Sequence, residues 1–237
     1  MKIVANENKL LRWFIVRNEF ETELKNLHIR FSEMAMMVNE AIQKSVTAFI
    51  THDQELAKKV IQNDQNINNR EIDLEKRSFE MIALQQPVTS DLRMIVTILK
   101  ASSDLERMGD HAVSIARATF RLQKNAILPE VEQLISKISH LVESMFNQAI
   151  EAYLQQDDQQ AIEIALEDND IDKLVRTVNQ TCIQSMKTNP QAVENGTTYM
   201  LVANYLERTG DYVTNLCEWV VYLKQGKLSD LNSKNIG

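Results

Sequence analysis

Apolar residues recur at intervals of three and four through most of this chain, and the recurrence predicts helices almost everywhere. From Glu19 to Ile50 the positions Leu24, Leu27, Phe31, Met34, Val38, Ile42, Val46 and Phe49 follow that spacing, with no glycine or proline between them. That is the pattern of one long amphipathic helix. Thr51-His52-Asp53 interrupts it, and Asp53 suits the N-cap of a second helix running to about Gln86, where Pro87 stops it. Thr89 or Ser90 can cap a third helix reaching about Lys124, with Asp91 in a first turn that favours an anion. Pro129 opens a fourth helix to about Gln156. Asp157-Asp158 starts a fifth, which ends before Asn189-Pro190, and a sixth spans roughly Glu194 to Gln225, with Gly226 as its stop.

The two halves match. Ala48-Phe49 through Asp53 recurs as Ala152-Tyr153 through Asp157, and Asp64-x-x-Ile67-Asn68 recurs as Asp168-x-x-Ile171-Asp172, both at an offset of 104 residues. Glu106-Arg107-Met108-Gly109-Asp110 returns as Glu207-Arg208-Thr209-Gly210-Asp211 at an offset of 101. An internal period of this length marks duplication of one supersecondary unit. The predicted fold is all-α: two tandem, pseudo-repeated, antiparallel three-helix bundles made of six long helices. Residues 1–17 form an N-terminal extension, 18–125 the first bundle, 126–226 the second and 227–237 a polar tail. Helices of about 30 residues reach some 45 Å at about 1.5 Å per residue, so the molecule is expected to be elongated.

Composition agrees with helices and narrows the function. Five glycines and three prolines supply too little turn chemistry for a sheet-rich fold. A formal charge of minus 7 without any basic block argues against nucleic-acid binding as the main activity. Cys182 and Cys217 stand alone inside helical patterns, which fits a reducing compartment. The apolar run Leu10 to Val16 is broken by Arg12 and is too short to span a membrane, and no small-residue cleavage site follows it. A soluble cytoplasmic protein is expected.

The repeated phrase carries the chemistry. Glu106 and Asp110, like Glu207 and Asp211, stand four residues apart and so share a helix face one turn apart. Like charges at that spacing repel by roughly 0.2–0.5 kcal/mol, and a mid-helix glycine costs about 1 kcal/mol relative to alanine. On a helical wheel Leu92, Val96, Leu99 and Ser103 lead into Glu106 and Asp110, and Met200 and Ala203 lead into Glu207 and Asp211, so the carboxylates are expected on the core side. The second helix of each unit adds Asp64, Asn68, Glu71 and Glu75 in one copy and Asp168 and Asp172 in the other.

Oxygen donors of this kind suit hard cations such as Mg²⁺, Ca²⁺, Mn²⁺ or ferric iron rather than zinc or copper. Asn68, facing Asp172 across the repeat, predicts a weaker first site. The plain alternative is a solvated acidic face paired to nearby arginines, and repetition at matched positions favours a site. His28, His52, His111 and His140 are preceded three residues earlier by Lys25, Phe49, Met108 and Lys137, so the Glu-x-x-His pairs of a di-iron oxidase are missing. No phosphate loop or nucleophile motif is recognisable.

With Asp64-x-x-Ile67-Asn68, Gln85-Gln86-Pro87, Ser90-Asp91-Leu92-Arg93, Asp104 through Ala112 and Leu206 through Asp211 in view, the chain closely resembles the PhoU family over about Asn18 to Gly226. The resemblance implies a cytoplasmic, non-enzymatic regulator of phosphate uptake and phosphate-starvation signalling. Its implied partners are the ATPase subunit of the phosphate ABC transporter, the sensor histidine kinase of the phosphate response and a second copy of the chain as a homodimer, with no nucleic acid and no membrane insertion. It further implies metal clusters held by Glu/Asp-x-x-x-Asp pairs. These fall on Glu106 with Asp110, Asp168 with Asp172 and Glu207 with Asp211, while Asp64 with Asn68 departs from the pattern at its second residue. A metal-dependent carboxylate enzyme acting on phosphate esters is the alternative from another class.

Overall fold

The structure, a computed structural model, describes the backbone of residues 2–231 and the side chains of residues 17–231. The described residues form seven α-helices: α1 (Lys2–Ile50), α2 (Gln54–Gln85), α3 (Thr89–Ala118), α4 (Pro129–Gln155), α5 (Asp158–Leu166), α6 (Asp168–Thr188) and α7 (Val193–Gln225). Helices α1 to α3 make one bundle; α4, the α5–α6 pair and α7 make the other. None among the described residues is long and apolar enough to cross a membrane.

Caps fall largely where the residue types put them. Asp53 and Asp157 accept hydrogen bonds from the backbone amides of residues two and three positions on, satisfying donors that a helix start leaves open. Gly226 ends α7 in the left-handed region at φ 73°. Two expectations are corrected. Helix α3 starts from Val88 without a side-chain cap rather than from Thr89 or Ser90, while Asp91 stands in its first turn as expected and pairs with Arg17 of α1 at 3.0 Å. The helix expected over 157–189 is divided at Glu167, so the second bundle's middle helix is two pieces. The extension expected over residues 1–17 falls largely on side chains outside the described residues, and α1 is helical from Lys2. Of the expected tail, residues 232–237 lie outside them too.

One hydrophobic core runs through both bundles, joining Phe31, Met34, Leu74, Ile98 and Leu105 to Val131, Ile135, Tyr199 and Leu206. Burying a side chain of this size contributes roughly 1.5–3 kcal/mol, and truncating fully buried Leu105 to alanine would cost about 2–5 kcal/mol. The bundles meet where α3 packs on α7 and α1 on α4.

Both contacts obey an approximate two-fold axis. His111 faces Tyr212, its equivalent in the second copy, with ring centroids 5.7 Å apart. Across α1 and α4, Asn39 donates to Asn147 at 2.9 Å and Gln43 donates to Glu143 at 2.6 Å. The repeat offset carries one of these bonds onto the other. The axis therefore passes between α3 and α7 and between α1 and α4, and each unit is placed equivalently about it.

Candidate functional site

Each copy places its acidic residues along the seam between its middle helix and its last helix. In the first copy α2 and α3 run antiparallel and close, and the reason they can is Gly109. A β-carbon there would stand 3.3 Å from two carbons of the Ile67 side chain and 3.7 Å from Asp64 Oδ1. In the second copy the approach is tighter. A β-carbon on Gly210 would stand 2.5 Å from Asp168 Oδ1 and 3.1 Å from Ile171 Cδ1. The glycine that looks only unfavourable along the helix thus lets an aspartate of the neighbouring helix lie against the backbone beside the acidic pair.

Burial differs from the expected pattern. The fully buried face of α3 runs through Ile95, Ile98, Leu105, Met108 and Ala112, whereas Leu92 and Asp110 are exposed and Val96, Leu99, Ser103 and Glu106 are half-buried. The line leading to the first acidic pair is therefore the rim of the core. α2 and α3 meet edge to edge there, and water reaches the outer side. In the second copy Glu207 and Asp211 are likewise half-buried, while Asp168 and Asp172 are each only 5% exposed. The division at Glu167 puts Asp168 in the first turn of α6, where the helix dipole favours a negative charge. Asp64 has no such support, since it lies mid-helix.

Electrostatics show which groups converge. Burial pushes the Glu106 carboxyl above its ordinary range, and Asp110, Glu71 and Asp64 push it further, with Arg107 opposing. Asp64 is raised by burial and then by Asp110, with Asn68 and Arg117 opposing. Glu71 is raised by burial and by Glu75. Carboxylates that hinder one another's ionisation lie within each other's field. The first copy thus gathers Asp64, Glu71, Glu106 and Asp110, with Asn68 donating to Asp64 Oδ2 at 3.4 Å. Glu75 is exposed at the edge of this group.

A cation fits the chemistry of the donors. Asp64 Oδ1 and Asn68 Oδ1 are buried and accept no hydrogen bond among the described residues, and buried oxygens of this kind ordinarily have a partner. All donors are oxygens, as hard cations require. In the rotamers present, however, no three His, Cys, Asp or Glu side chains among the described residues form a finished cage. Asp64, Asn68, Glu106 and Asp110 would hold an ion in the first copy, and Asp168, Asp172, Glu207 and Asp211 in the second.

His111, which looks from the sequence like a partly exposed helix residue, lies between Tyr205 and Tyr212 with centroid distances of 5.4 and 5.7 Å. Burial and Arg208 lower its pKa. Its place is at the two-fold contact rather than in either acidic site.

Fold and site together define a duplicated three-helix-bundle scaffold with one acidic seam per copy. The PhoU domain family matches residues 31–119 and 135–220, one stretch in each bundle, and the chain belongs to that family. It is 37% identical over 217 residues to a phosphate-specific transport system accessory protein PhoU homolog of Streptococcus pneumoniae, covering 92% of this chain and 100% of the relative. A homolog of the same name from Clostridium acetobutylicum is 34% identical over 222 residues, covering 92% and 100%. The crystal structure of the phosphate transport system regulatory protein PhoU from Streptococcus pneumoniae superposes with a TM-score of 0.84 at 34% identity, covering 89% of this chain and 99% of that one. PhoU from Pseudomonas aeruginosa gives 0.83 at 30% identity, covering 88% and 100%. These are names of accessory and regulatory proteins, not of enzymes, and the chain shares that class.

Proposed function

We propose that this protein is a cytoplasmic accessory regulator of phosphate uptake. In this reading it docks through the face carrying its two acidic seams onto the ATPase subunit of a phosphate ABC transporter, a sensor kinase of the phosphate response, or both. The observation that supports the reading is the duplicated placement of an aspartate against a glycine, Asp64 at Gly109 and Asp168 at Gly210, each glycine standing just before the last carboxylate of its repeated phrase. Uncompensated, that grouping destabilises the fold. Cations held there would neutralise it, and their occupancy would set the charge of the docking face. The relatives' transport-accessory names support the phosphate context.

The test uses the purified transporter ATPase subunit and the sensor kinase's cytoplasmic part, each titrated with native protein and with the Glu106→Ala/Asp110→Ala/Glu207→Ala/Asp211→Ala variant. Native protein should bind at least one of them, with affinity that changes on chelation, and the variant should bind at least about tenfold more weakly. Binding indifferent to both the substitutions and chelation would overturn the role given to the acidic seams.

A further inference from the structure

The first bundle holds a cleft of about 190 Å³ that all three of its helices line, and of the acidic seam only Asp64 and its glycine, Gly109, take part in it. Met37 and Ala41 of α1, Val60 and Ile67 of α2 and Val113 of α3 give it apolar walls. Glu40, Lys44 and Asn63 are exposed and stand at its rim, so the cleft opens between α1 and α2. Gly109 has no side chain to fill the space, and the backbone of α3 is therefore part of the lining.

One oxygen in this cleft lacks a donor. Asp64 Oδ2 accepts from Asn68, but Oδ1, which lies 3.7 Å from where a β-carbon on Gly109 would stand, is buried and accepts no hydrogen bond among the described residues. Asp110 and Arg117 act on Asp64 through space in opposite senses. Lys44, the cation at the rim, is bonded to Glu40 instead. A buried carboxylate oxygen ordinarily has a partner, and a charged donor satisfies it best. The second copy is built differently. Asp168 Oδ1 comes within 2.5 Å of the β-carbon position of Gly210 and takes up the corresponding space. The repeat offsets also carry Glu40 onto Ser144, Lys44 onto Gln148 and Val113 onto Thr214, so the charged rim and one apolar wall are not repeated.

We propose that this cleft binds a small primary aliphatic amine in its ammonium form, one per chain, with the ammonium donating to Asp64 Oδ1 and the alkyl chain lying against Met37, Ala41 and Val113. The lining selects this class. An anion would meet the carboxylate that lacks a donor, and a neutral alcohol would offer it only an uncharged one. A bare metal ion would gain nothing from the apolar walls, whereas each methylene removed from water adds affinity. Size sets the length of the chain. An apolar cavity of about 150 Å³ accommodates benzene, so about three to five carbons fit here. The inference goes beyond the docking role and does not depend on it, since the cleft shares only Asp64 with the first cation site.

The test is an NMR titration of the full chain, labelled with nitrogen-15 glycine and freed of metal by chelation, at neutral pH. The probes are propylammonium, butylammonium and pentylammonium chlorides, with 1-butanol as the uncharged control. The Gly109 amide, assigned through its loss in Gly109→Ala, should shift along a single saturable isotherm while the Gly210 amide stays in place. Affinity should rise about fourfold with each methylene, and 1-butanol should bind at least about tenfold more weakly than butylammonium. Asp64→Asn, which keeps the shape of the side chain, should weaken butylammonium at least about tenfold and leave 1-butanol unchanged. Ala41→Met, which fills the cleft from α1, should abolish binding of both with helicity intact by circular dichroism; if it does not fold, Asp64→Asn decides. No saturable shift at Gly109, an equal response at Gly210, 1-butanol binding as well as butylammonium, or native affinity for butylammonium in folded Asp64→Asn or Ala41→Met would overturn the proposal.

Discussion

Asp168 Oδ1 lies 2.5 Å from where a β-carbon on Gly210 would stand, whereas the closest atom to a β-carbon on Gly109 is a carbon of Ile67 at 3.3 Å. The same motif is therefore built to different tolerances. Gly109→Ala gains about 1 kcal/mol of helix propensity, which offsets a small adjustment of Ile67. Gly210→Ala must displace a buried aspartate and should lose about 1–2 kcal/mol net. Urea denaturation of the two variants checks this, and equal effects would show that the two seams are packed alike.

His28 should make stability depend on pH near neutrality. Its Nδ1 lies 2.7 Å from the Tyr153 hydroxyl, joining α1 to α4, and burial lowers its pKa below the ordinary value of 6.5. The unfolded chain then takes up a proton that the folded chain refuses. Stability contributed by neutral His28 is present above pH 6.5 and is lost as pH falls from there to the lowered value. Denaturation midpoints from pH 5 to 8 should show a shallower slope in His28→Gln than in the native protein.

Much of the fold was legible because apolar spacing and caps report helices directly. The repeat was legible because two offsets, 104 and 101, aligned unlike motifs in one order. Two things were not. The division at Glu167 carries no glycine or proline: Leu166-Glu167-Asp168 is good helical sequence, and the break shows only as tightened hydrogen bonds from Glu167 to Ile164 and from Asp170 to Glu167. Nor does a wheel separate the rim of a core from its centre. It set Glu106 and Asp110 on the buried side when they lie at the water-facing edge of the α2–α3 seam. The two motif glycines did carry a signal, because a residue unfavourable in a helix stood at the same place twice. What each glycine approaches depends on the neighbouring helix, which only the structure supplies.

Glu132 ties three elements at the other end of the α1–α4 contact. It accepts from the Tyr199 hydroxyl at 2.8 Å and lies 2.7 Å from His52 Nε2. Glu132→Ala strands the fully buried tyrosine's hydroxyl donor and should cost about 1–3 kcal/mol, while Tyr199→Phe, which leaves Glu132 its histidine, should cost nearer about 1 kcal/mol. Thermal unfolding of both variants decides the order.

The cysteines should be silent in the native state. Both are buried, and burial pushes the Cys182 thiol up to about 11 and the Cys217 thiol up to about 12. A thiol-reactive disulfide reagent at pH 8 should modify neither until denaturant is added, because the thiolate is the reactive form. Rapid reaction of folded protein would place a thiol at the surface.

The most direct test of the paired acidic seams is metal content after dialysis against Mn²⁺, measured by elemental analysis on native protein and on Glu106→Ala/Asp110→Ala and Glu207→Ala/Asp211→Ala variants with circular dichroism in parallel. Native protein should retain bound metal, and each variant should lose part of it with helicity intact. The larger loss should follow the second substitution, since Asp168 and Asp172 are both carboxylates whereas the first copy has Asn68. Native protein that retains no metal, or variants that retain as much as native, would contradict the cation-holding role of both seams.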